Sequence, residues 1–510
     1  MAVAVEMLNI SKFYPGVIAN DNVSLSVDEG QILGLIGENG AGKSTMMNML
    51  YGMTEPDEGI IRLFGNEVKI QSPNMAIKQG IGMVHQHFML MPNLSVLQNI
   101  ILGNAPTKNG MIDIKRAKEK ITNIMDTYDL PVDLDEKVYQ LSVGEKQRVE
   151  IIKALYRNVK VLIMDEPTAV LTPTETDKLL EVLRQLKKQG CAIIFITHKL
   201  REVMAITDKI VVMRKGVVTG TLMTTEANTA GLSNMMVGRK VNLDIPRKEY
   251  HPGEVVLEVK GLKALNQRGL PALRGVNLKV RRGEIVGVAG VEGNGQTELI
   301  ESISGMLEPT AGEVIFKGKE VTDFSVRKRR EEGMSHIPED RLKMGTAKNC
   351  SIRDNLILNR YYRKPYSKSG ILDNRQLHDL SENLCKDFGV KTPDSDYRLG
   401  TLSGGNMQKV VFAREMEADP DLLIAAQPTR GVDIGAIESI HHKIVEVRDS
   451  DRGVLLVSAE LDEILSLSDR ILVMYEGEIM AEFQRGEADE RTIAIYMTGA
   501  KRQGGDGDEK

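Results

Sequence analysis

Cysteine is scarce and unpatterned in this chain. Cys191, Cys350 and Cys385 are three in 510 residues, far apart and odd in number. They offer neither metal-ligand spacing nor a disulfide framework, so they read as buried or bystander thiols in a reducing compartment. Long apolar runs are missing as well. The longest, such as "CAIIFI" at 191–196, are strand-sized and fall short of the ~18–20 residues that a membrane helix needs. The N-terminus "MAVAVEMLNISKFYP" has no basic start and no long apolar core, so it is not expected to be a signal peptide. Any link to a membrane is therefore expected to run through other chains. A basic excess is absent too: 66 Lys and Arg stand against 71 Asp and Glu, a net charge of −5, which disfavours nucleic acid as a partner.

What the chain does have is a repeat. "GLIGENGAGKST" (34–45) and "GVAGVEGNGQTE" (287–298) lie 253 positions apart without a gap. Further on, "LSVGEKQ" (141–147) pairs with "LSGGNMQ" (402–408), and "VLIMDEPTA" (161–169) with "LLIAAQPTR" (422–430). The spacing of 23 from Ser142 to Asp165 recurs from Ser403 to Ala426, and that of 33 from Asp165 to His198 recurs from Ala426 to Ala459. The chain therefore reads as two copies of one plan, 1–240 and 254–499. The polar stretch 241–253, with Pro246 and Pro252, reads as a linker, and the Gly-rich charged tail 500–510 as disordered.

Within each copy, apolar strands alternate with amphipathic helices, which implies an α/β fold with a mostly parallel sheet. "LTPTETDKLLEVLRQLKKQG" is an example. Thr172 suits the N-cap, Pro173 the first turn and Glu175 a capping box. Leu179, Leu180, Leu183 and Leu186 form one stripe, and Gly190 ends the helix.

The first copy carries two chemical motifs. "GENGAGKST" fits the phosphate-loop pattern, follows an apolar strand and opens a helix. Its residues are Gly37, Glu38, Asn39, Gly40, Ala41, Gly42, Lys43, Ser44 and Thr45. The glycines let backbone amides face phosphate oxygens at a helix N-terminus. Lys43 adds a charge for the β and γ phosphates, and Ser44 offers a hydroxyl to Mg²⁺. "VLIMDEPT" is an apolar strand ending in two acids. Asp165 suits Mg²⁺ through its water shell, and Glu166 suits polarisation of an attacking water, a role worth ~10²–10⁴-fold in rate. An incidental glycine turn and two capping acids are the plainer readings, and the pairing of the motifs weighs against both.

With these two motifs, "LSVGEKQR" resembles the signature of the ATP-binding-cassette (ABC) family, and the likeness covers nearly the whole chain twice. The resemblance implies two P-loop NTPase (ABC ATPase) domains in tandem, each with a mostly parallel core sheet, an antiparallel β part and a helical signature subdomain. It also implies ATP and Mg²⁺ as cofactors, Gln86 as the residue that senses Mg²⁺, the γ-phosphate and the membrane partner, and His198 as a γ-phosphate switch. Tyr14 resembles the aromatic that stacks on adenine, and an edge-strand tyrosine without a ligand stays open for it. His85 and His87 read as bystanders, and "RKRR" (327–330) as a solvated helix face.

In this family two cassettes pair head to tail. Site one would combine Lys43, Ser44, Asp165, Glu166, Gln86 and His198 with Ser403, Gly404, Gly405 and Gln408 of the other signature. Site two is stripped: Gln296 stands for the lysine, Ala426 and Gln427 for the acids, Ala459 for the histidine, Gln267 for the aromatic and Glu339 for the sensing glutamine. Thr297, Gly290, Gly293 and Gly295 survive. Asp433 would support site one across the pairing, or is a plain turn residue. The expectation is hydrolysis at one site.

"HQHFMLMPNLSVLQNI", "IPEDR", "LSGGNMQK" and "PTRGVD" resemble importers of simple sugars and nucleosides, and "LLIAAQPTRG" with "GVEGNGQTEL" leans toward the nucleoside branch. That implies an ATPase peripheral to the cytoplasmic face of the cell membrane, under two permease subunits and fed by an extracytoplasmic substrate-binding protein. The permease would dock after Gln86 and after Glu339. The rivals are a soluble tandem-cassette translation or repair ATPase of the ABC-F type and a regulatory nucleotide-binding module. The short, proline-broken linker and the net charge disfavour the first, and the intact first site the second.

Overall fold

The computed structural model describes residues 2–85, 88–168, 171, 173–239, 245–266, 268–291, 293–364, 366–368, 370–432 and 434–503. Gln86, His87, Thr172, Gln267 and Asp433, given roles above, lie outside them. The chain divides into two compact units, Met1–Val241 and Asn242–Lys510.

In the first unit the strand Ile32–Gly37 is buried along its whole length, as expected of a parallel strand covered on both faces. It lies inside a six-stranded sheet ordered Val217–Met223, Lys209–Arg214, Ile32–Gly37, Ala192–Ile196, Val161–Asp165, Ile81–Val84. All neighbours run parallel except the edge strand Val217–Met223. The strand crossovers open at the C-terminal edge of this sheet, which is where an α/β fold builds its site. A second sheet, Val17–Asp28, Val3–Tyr14, Glu58–Leu63 and Asn66–Val68, is wholly antiparallel. Between the two sheets lies the helix Lys43–Leu50, whose Met46, Met47, Met49 and Leu50 pack with Val5, Met7, Leu33 and Ile163. The opposite face of the parallel sheet carries the helices Val96–Ile101, Ile114–Tyr128, Val143–Tyr156 and Pro173–Lys188. In the last of these, Leu179, Leu180, Leu183 and Leu186 are all buried, as their spacing requires.

The second unit repeats the plan. Its six-stranded sheet is ordered Glu478–Gln484, Arg470–Tyr475, Ile285–Ala289, Gly453–Ser458, Leu422–Ala426, Met334–Ile337, each strand matching its counterpart in place and direction. An antiparallel sheet of Pro271–Arg281, Val255–Leu265, Ala311–Phe316 and Lys319–Glu320 accompanies it. Residues 245–250 are strapped onto this unit. Arg247 Nη1 donates to the Leu467 carbonyl at 2.9 Å, Arg448 Nη1 to the Lys248 carbonyl at 2.7 Å, and the Tyr250 hydroxyl to Glu284 Oε1 at 3.0 Å.

The solvated-face reading of "RKRR" needs correction at its third residue. Arg329 is only 2% exposed. Its guanidinium donates to the carbonyls of Ser302 and Ile303, both at 2.6 Å, and to those of Phe324 and Thr322. It thereby satisfies the last-turn carbonyl of Ile303 in the helix Gln296–Ser304 and adds a second donor to that of Ser302, which the Gly305 amide caps at 3.3 Å. Cys191 and Cys385 are buried and Cys350 is exposed. No helix among the described residues is long and apolar enough to cross a membrane.

Candidate nucleotide site

The first phosphate loop hangs between the strand Ile32–Gly37 and the helix Lys43–Leu50. Gly42 turns into the helix with φ 97°, and a Cβ there would lie 2.4 Å from the Ala19 carbonyl oxygen. Only glycine tolerates both the left-handed backbone and the close approach. Asn20 Nδ2 fixes the turn by donating to the Gly42 carbonyl at 3.2 Å. The helix has no side-chain cap and no acid in its first turn, which leaves its positive end open to an anion. Lys43 is buried and curls back over the loop, donating to the carbonyls of Gly37 at 2.7 Å and Glu38 at 3.0 Å. Burial lowers its pKa against the opposing pull of Glu166, Asp165 and Glu38.

The acid strand brings its tip to the same place. Ser44 Oγ donates to Asp165 Oδ2 at 3.4 Å. Burial and the neighbouring charge of Glu166 raise the Asp165 pKa. Glu166 sits at φ 48°, a left-handed position that is costly for a side-chain-bearing residue. Its amide donates to the Ile196 carbonyl at 2.9 Å, and its Oε1 lies 3.1 Å from His198 Nδ1. Burial works against its charge, yet His198 and then Lys43 hold its carboxyl below the usual range. The structure thus gathers Lys43, Ser44, Asp165, Glu166 and His198 around one loop. The donor set fits a phosphate chain with a hard cation: a desolvated ammonium, a hydroxyl and a crowded carboxylate pair in which one acid is hard to ionise without a positive partner.

Tyr14 ends its strand half-exposed, with Lys12 Nζ 5.7 Å from the ring centroid. His85 stands edge-on to Tyr51 at 5.7 Å. Ser142 and Ser403 each cap a signature helix, Val143–Tyr156 and Gly404–Met416. Gln408 is buried and its Nε2 donates to the Pro428 carbonyl at 2.9 Å. It braces the signature helix against the turn after the second acid strand, inside its own unit.

The equivalent place in the second unit keeps the scaffold. Gly295 has φ 103°, and a Cβ there would meet the Ala272 carbonyl oxygen at 2.5 Å. Gln427 has φ 46°, its amide donates to the Val457 carbonyl at 2.7 Å, and its Oε1 accepts from the Ala459 amide at 3.1 Å. Thr297 Oγ1 donates to Glu339 Oε2 at 3.2 Å, and Glu339 Oε1 pairs with Arg430 at 2.6 Å. Burial, with Glu298 and Glu339 nearby, raises the Glu301 pKa. Carboxylates therefore collect beside Thr297, while the uncharged Gln296 holds the place of Lys43.

Sequence reasoning passed over Asn20 and the brace beneath the first acid strand. There the Glu202 carboxylate accepts from Thr168 Oγ1 at 2.6 Å and from Thr197 Oγ1 at 3.4 Å. The repeat held the signal, since Glu463 occupies the position equivalent to Glu202.

Fold and site define a nucleoside-triphosphatase with two P-loop domains in one chain. The ABC transporter family matches residues 20–169 and 273–430. The chain is 46% identical to a guanosine import ATP-binding protein of Bacillus subtilis, each covered to 99%. It is 45% identical to a glucose import ATP-binding protein of Haloferax volcanii, over 97% of this chain and 95% of that one. It is 43% identical to a nucleoside import ATP-binding protein of Lactococcus lactis, over 97% and 98%. An archaeal ribosome recycling factor shares the fold over 93% of this chain and 90% of its own, at a TM-score of 0.64 and 19% identity. That likeness is one of fold alone. The chain belongs to the ABC transporter family, as a tandem-cassette ATPase.

Proposed function

We propose that the chain is the ATP-hydrolysing subunit of an importer for nucleosides, with simple sugars as the other substrate class. The full-length similarity to the guanosine and nucleoside import proteins supports this reading. It hydrolyses ATP at one site, built on the first phosphate loop. The observation that carries this is the assembly of Lys43, Ser44, Asp165, Glu166 and His198 at one loop, where the second unit has Gln296, Thr297, Ala426, Gln427 and Ala459.

In this reading Ser44 and Asp165, with Gln86, would hold Mg²⁺, whose charge would offset that of the phosphates. Lys43 leaves the Gly37 and Glu38 carbonyls for phosphate oxygens. The helix N-terminus at Gly42 supplies amides, and Tyr14 packs on the base. Glu166, held by its tight turn and by His198, takes the proton of the attacking water. In the head-to-tail pairing that the family resemblance implies, Ser403, Gly404 and Gly405 complete this site.

The subunit works on the cytoplasmic face of the membrane, bound to two permease subunits that an extracytoplasmic binding protein loads. Exposed Met89, Met91 and Leu102 in the first unit, with Leu342, Met344 and Leu358 in the second, supply apolar docking surface where permease contact is expected. The test is reconstitution with the permeases and binding protein. Nucleoside-loaded binding protein should stimulate phosphate release more than sugar-loaded protein. Substituting the exposed Met and Leu residues by Ser should uncouple ATPase from uptake. Equal stimulation by both ligands would remove the nucleoside assignment.

A further inference from the structure

We propose that the charge gathered at the head of each signature helix decides whether that helix can take a phosphate, and that Glu145 and Glu175 keep the first one filled from within. In the first domain the helix Val143–Tyr156 opens with a closed capping box. The Ser142 hydroxyl donates to Glu145 Oε2 at 2.7 Å, the Ser142 amide reaches the same oxygen at 2.8 Å, and the Glu145 amide donates back to Ser142 Oγ at 3.3 Å. The single proton of the serine hydroxyl is thus committed to the helix's own cap. Burial disfavours the Glu145 charge, but these bonds from Ser142, with Arg148 and Lys146 nearby, still hold its carboxyl below the usual range.

A second carboxylate arrives from the helix Pro173–Lys188. A Cβ on Gly144 would lie only 2.0 Å from Glu175 Oε1. That oxygen therefore rests against the backbone of the second residue of the signature helix, where an anion from outside would have to approach the first-turn amides.

The second signature helix is built with the opposite sign. In the repeat register Asn406 replaces Glu145 and Ala436 replaces Glu175. The Asn406 amide and its Nδ2 both donate to Ser403 Oγ, at 3.4 and 3.0 Å. In these contacts Ser403 only accepts, so its hydroxyl proton remains for a ligand. A guanidinium stands close by: a Cβ on Gly404 would lie 2.7 Å from Arg341 Nη2. Arg341 is anchored through Nη1 to the Arg430 carbonyl and through Nη2 to the Gly431 carbonyl at 3.2 Å. One helix head is filled by internal anions, and the other offers a hydroxyl proton beside a fixed cation. Hydrogen bonds to charged groups are the strong ones, so this difference selects between the two heads. Arg341 is on this account a positioning residue for the phosphate at Ser403, and Glu175 an internal stand-in for that phosphate at Ser142.

The inference rests on the reading that Ser403 completes the competent site, and it deepens that reading. The test transplants the plug. Asn406→Glu with Ala436→Glu is compared, in the full chain, with the neutral pair Asn406→Gln with Ala436→Gln, which sets the steric baseline. Glu166→Gln serves as the marker of one-site turnover. The acidic pair should fall at least about tenfold below the neutral pair in kcat/KM for MgATP. A fluorescent ATP analogue should still bind both pairs equally through the first phosphate loop, and both should melt at the same temperature. Equal turnover in the two pairs overturns the proposal, as does equal loss in both. If Glu166→Gln keeps wild-type turnover, the one-site reading itself falls and takes this inference with it.

Discussion

Glu166 and Gln427 share one backbone conformation, with φ of 48° and 46°, at the tips of equivalent strands. Each amide is tied to the neighbouring strand, Glu166 to Ile196 and Gln427 to Val457. The turn costs about 1–3 kcal/mol for a non-glycine residue, and it persists where the acid has gone. The strain therefore belongs to the scaffold, while the chemistry belongs to the side chain placed on it.

Exchanging those side chains should give unequal results. Glu166→Gln should reduce steady-state phosphate release by at least about 10²-fold, the loss of a positioned base. Gln427→Glu should change it by less than about twofold, because Gln296 brings no charge to the phosphates and Ala426 and Ala459 have no group for a metal or a proton. Phosphate release from the purified chain measures both.

The phosphate loop gives a graded prediction. A methyl group on Gly42 meets the Ala19 carbonyl at 2.4 Å and Asn20 Nδ2 at 2.6 Å, whereas one on Gly40, at φ 82°, meets nothing within 4 Å. Gly42→Ala should cost about 1–3 kcal/mol of stability and displace the loop, with binding of a fluorescent ATP analogue at least about tenfold weaker. Gly40→Ala should suffer only the backbone strain and lie between Gly42→Ala and wild type in both thermal melting and titration.

Arg329→Met should destabilise the second unit by about 3 kcal/mol or more, since it leaves the carbonyls of Ile303, Thr322 and Phe324 without a donor and that of Ser302 with only the Gly305 amide at 3.3 Å. Arg327→Ala, at an exposed neighbour, should stay within about 0.5 kcal/mol of wild type. Calorimetry of the full chain should show the transition of the second unit moving for Arg329→Met only.

His336 provides a pH signature. Burial lowers its pKa from 6.5 to about 4, and its Nε2 has no hydrogen-bond partner. The unfolded chain takes up this proton near pH 6.5 and the folded chain only near 4. The neutral histidine's contribution is thus fully present above pH 6.5 and is lost as pH falls from 6.5 toward 4, by about 3 kcal/mol at most. The repeat supplies a replacement, for Met83 holds the same position in the first unit. His336→Met should raise the melting temperature of the second unit more at pH 5 than at pH 7.5. An equal rise at both would mean that the histidine carries no linked proton.

Much of this was legible before any coordinates. Lys43, Ser44, Asp165, Glu166 and His198 converge because each stands at the end of a strand or the start of a helix that the apolar pattern already marked. The two sheets repeat strand for strand because the motif spacings repeat. Arg329 was not legible. A run of four cations looks solvated, and only the tertiary fold brings the last-turn carbonyls of the helix Gln296–Ser304 to the third of them. Glu175 escaped for a related reason. Its sequence neighbours mark a helix start, and nothing in the local pattern says that its carboxylate reaches Gly144, 31 positions earlier.

The two signature caps carry a consequence for local stability. Amides in the first turn of a helix can be satisfied by the chain or by a ligand, and each choice excludes the other. The first helix has taken the internal choice, with a reciprocal cap and the Glu175 carboxylate packed against Gly144. The second lacks the reciprocal bond: the Asn406 amide and Nδ2 both donate to Ser403 Oγ, and the Asn406 side chain accepts nothing from Ser403. Without nucleotide, the amides at the head of the second helix should exchange with solvent deuterium faster than those of the first. ATP should slow exchange at the second helix and leave the first unchanged, so that one signature helix closes its own head and the other is closed by its substrate.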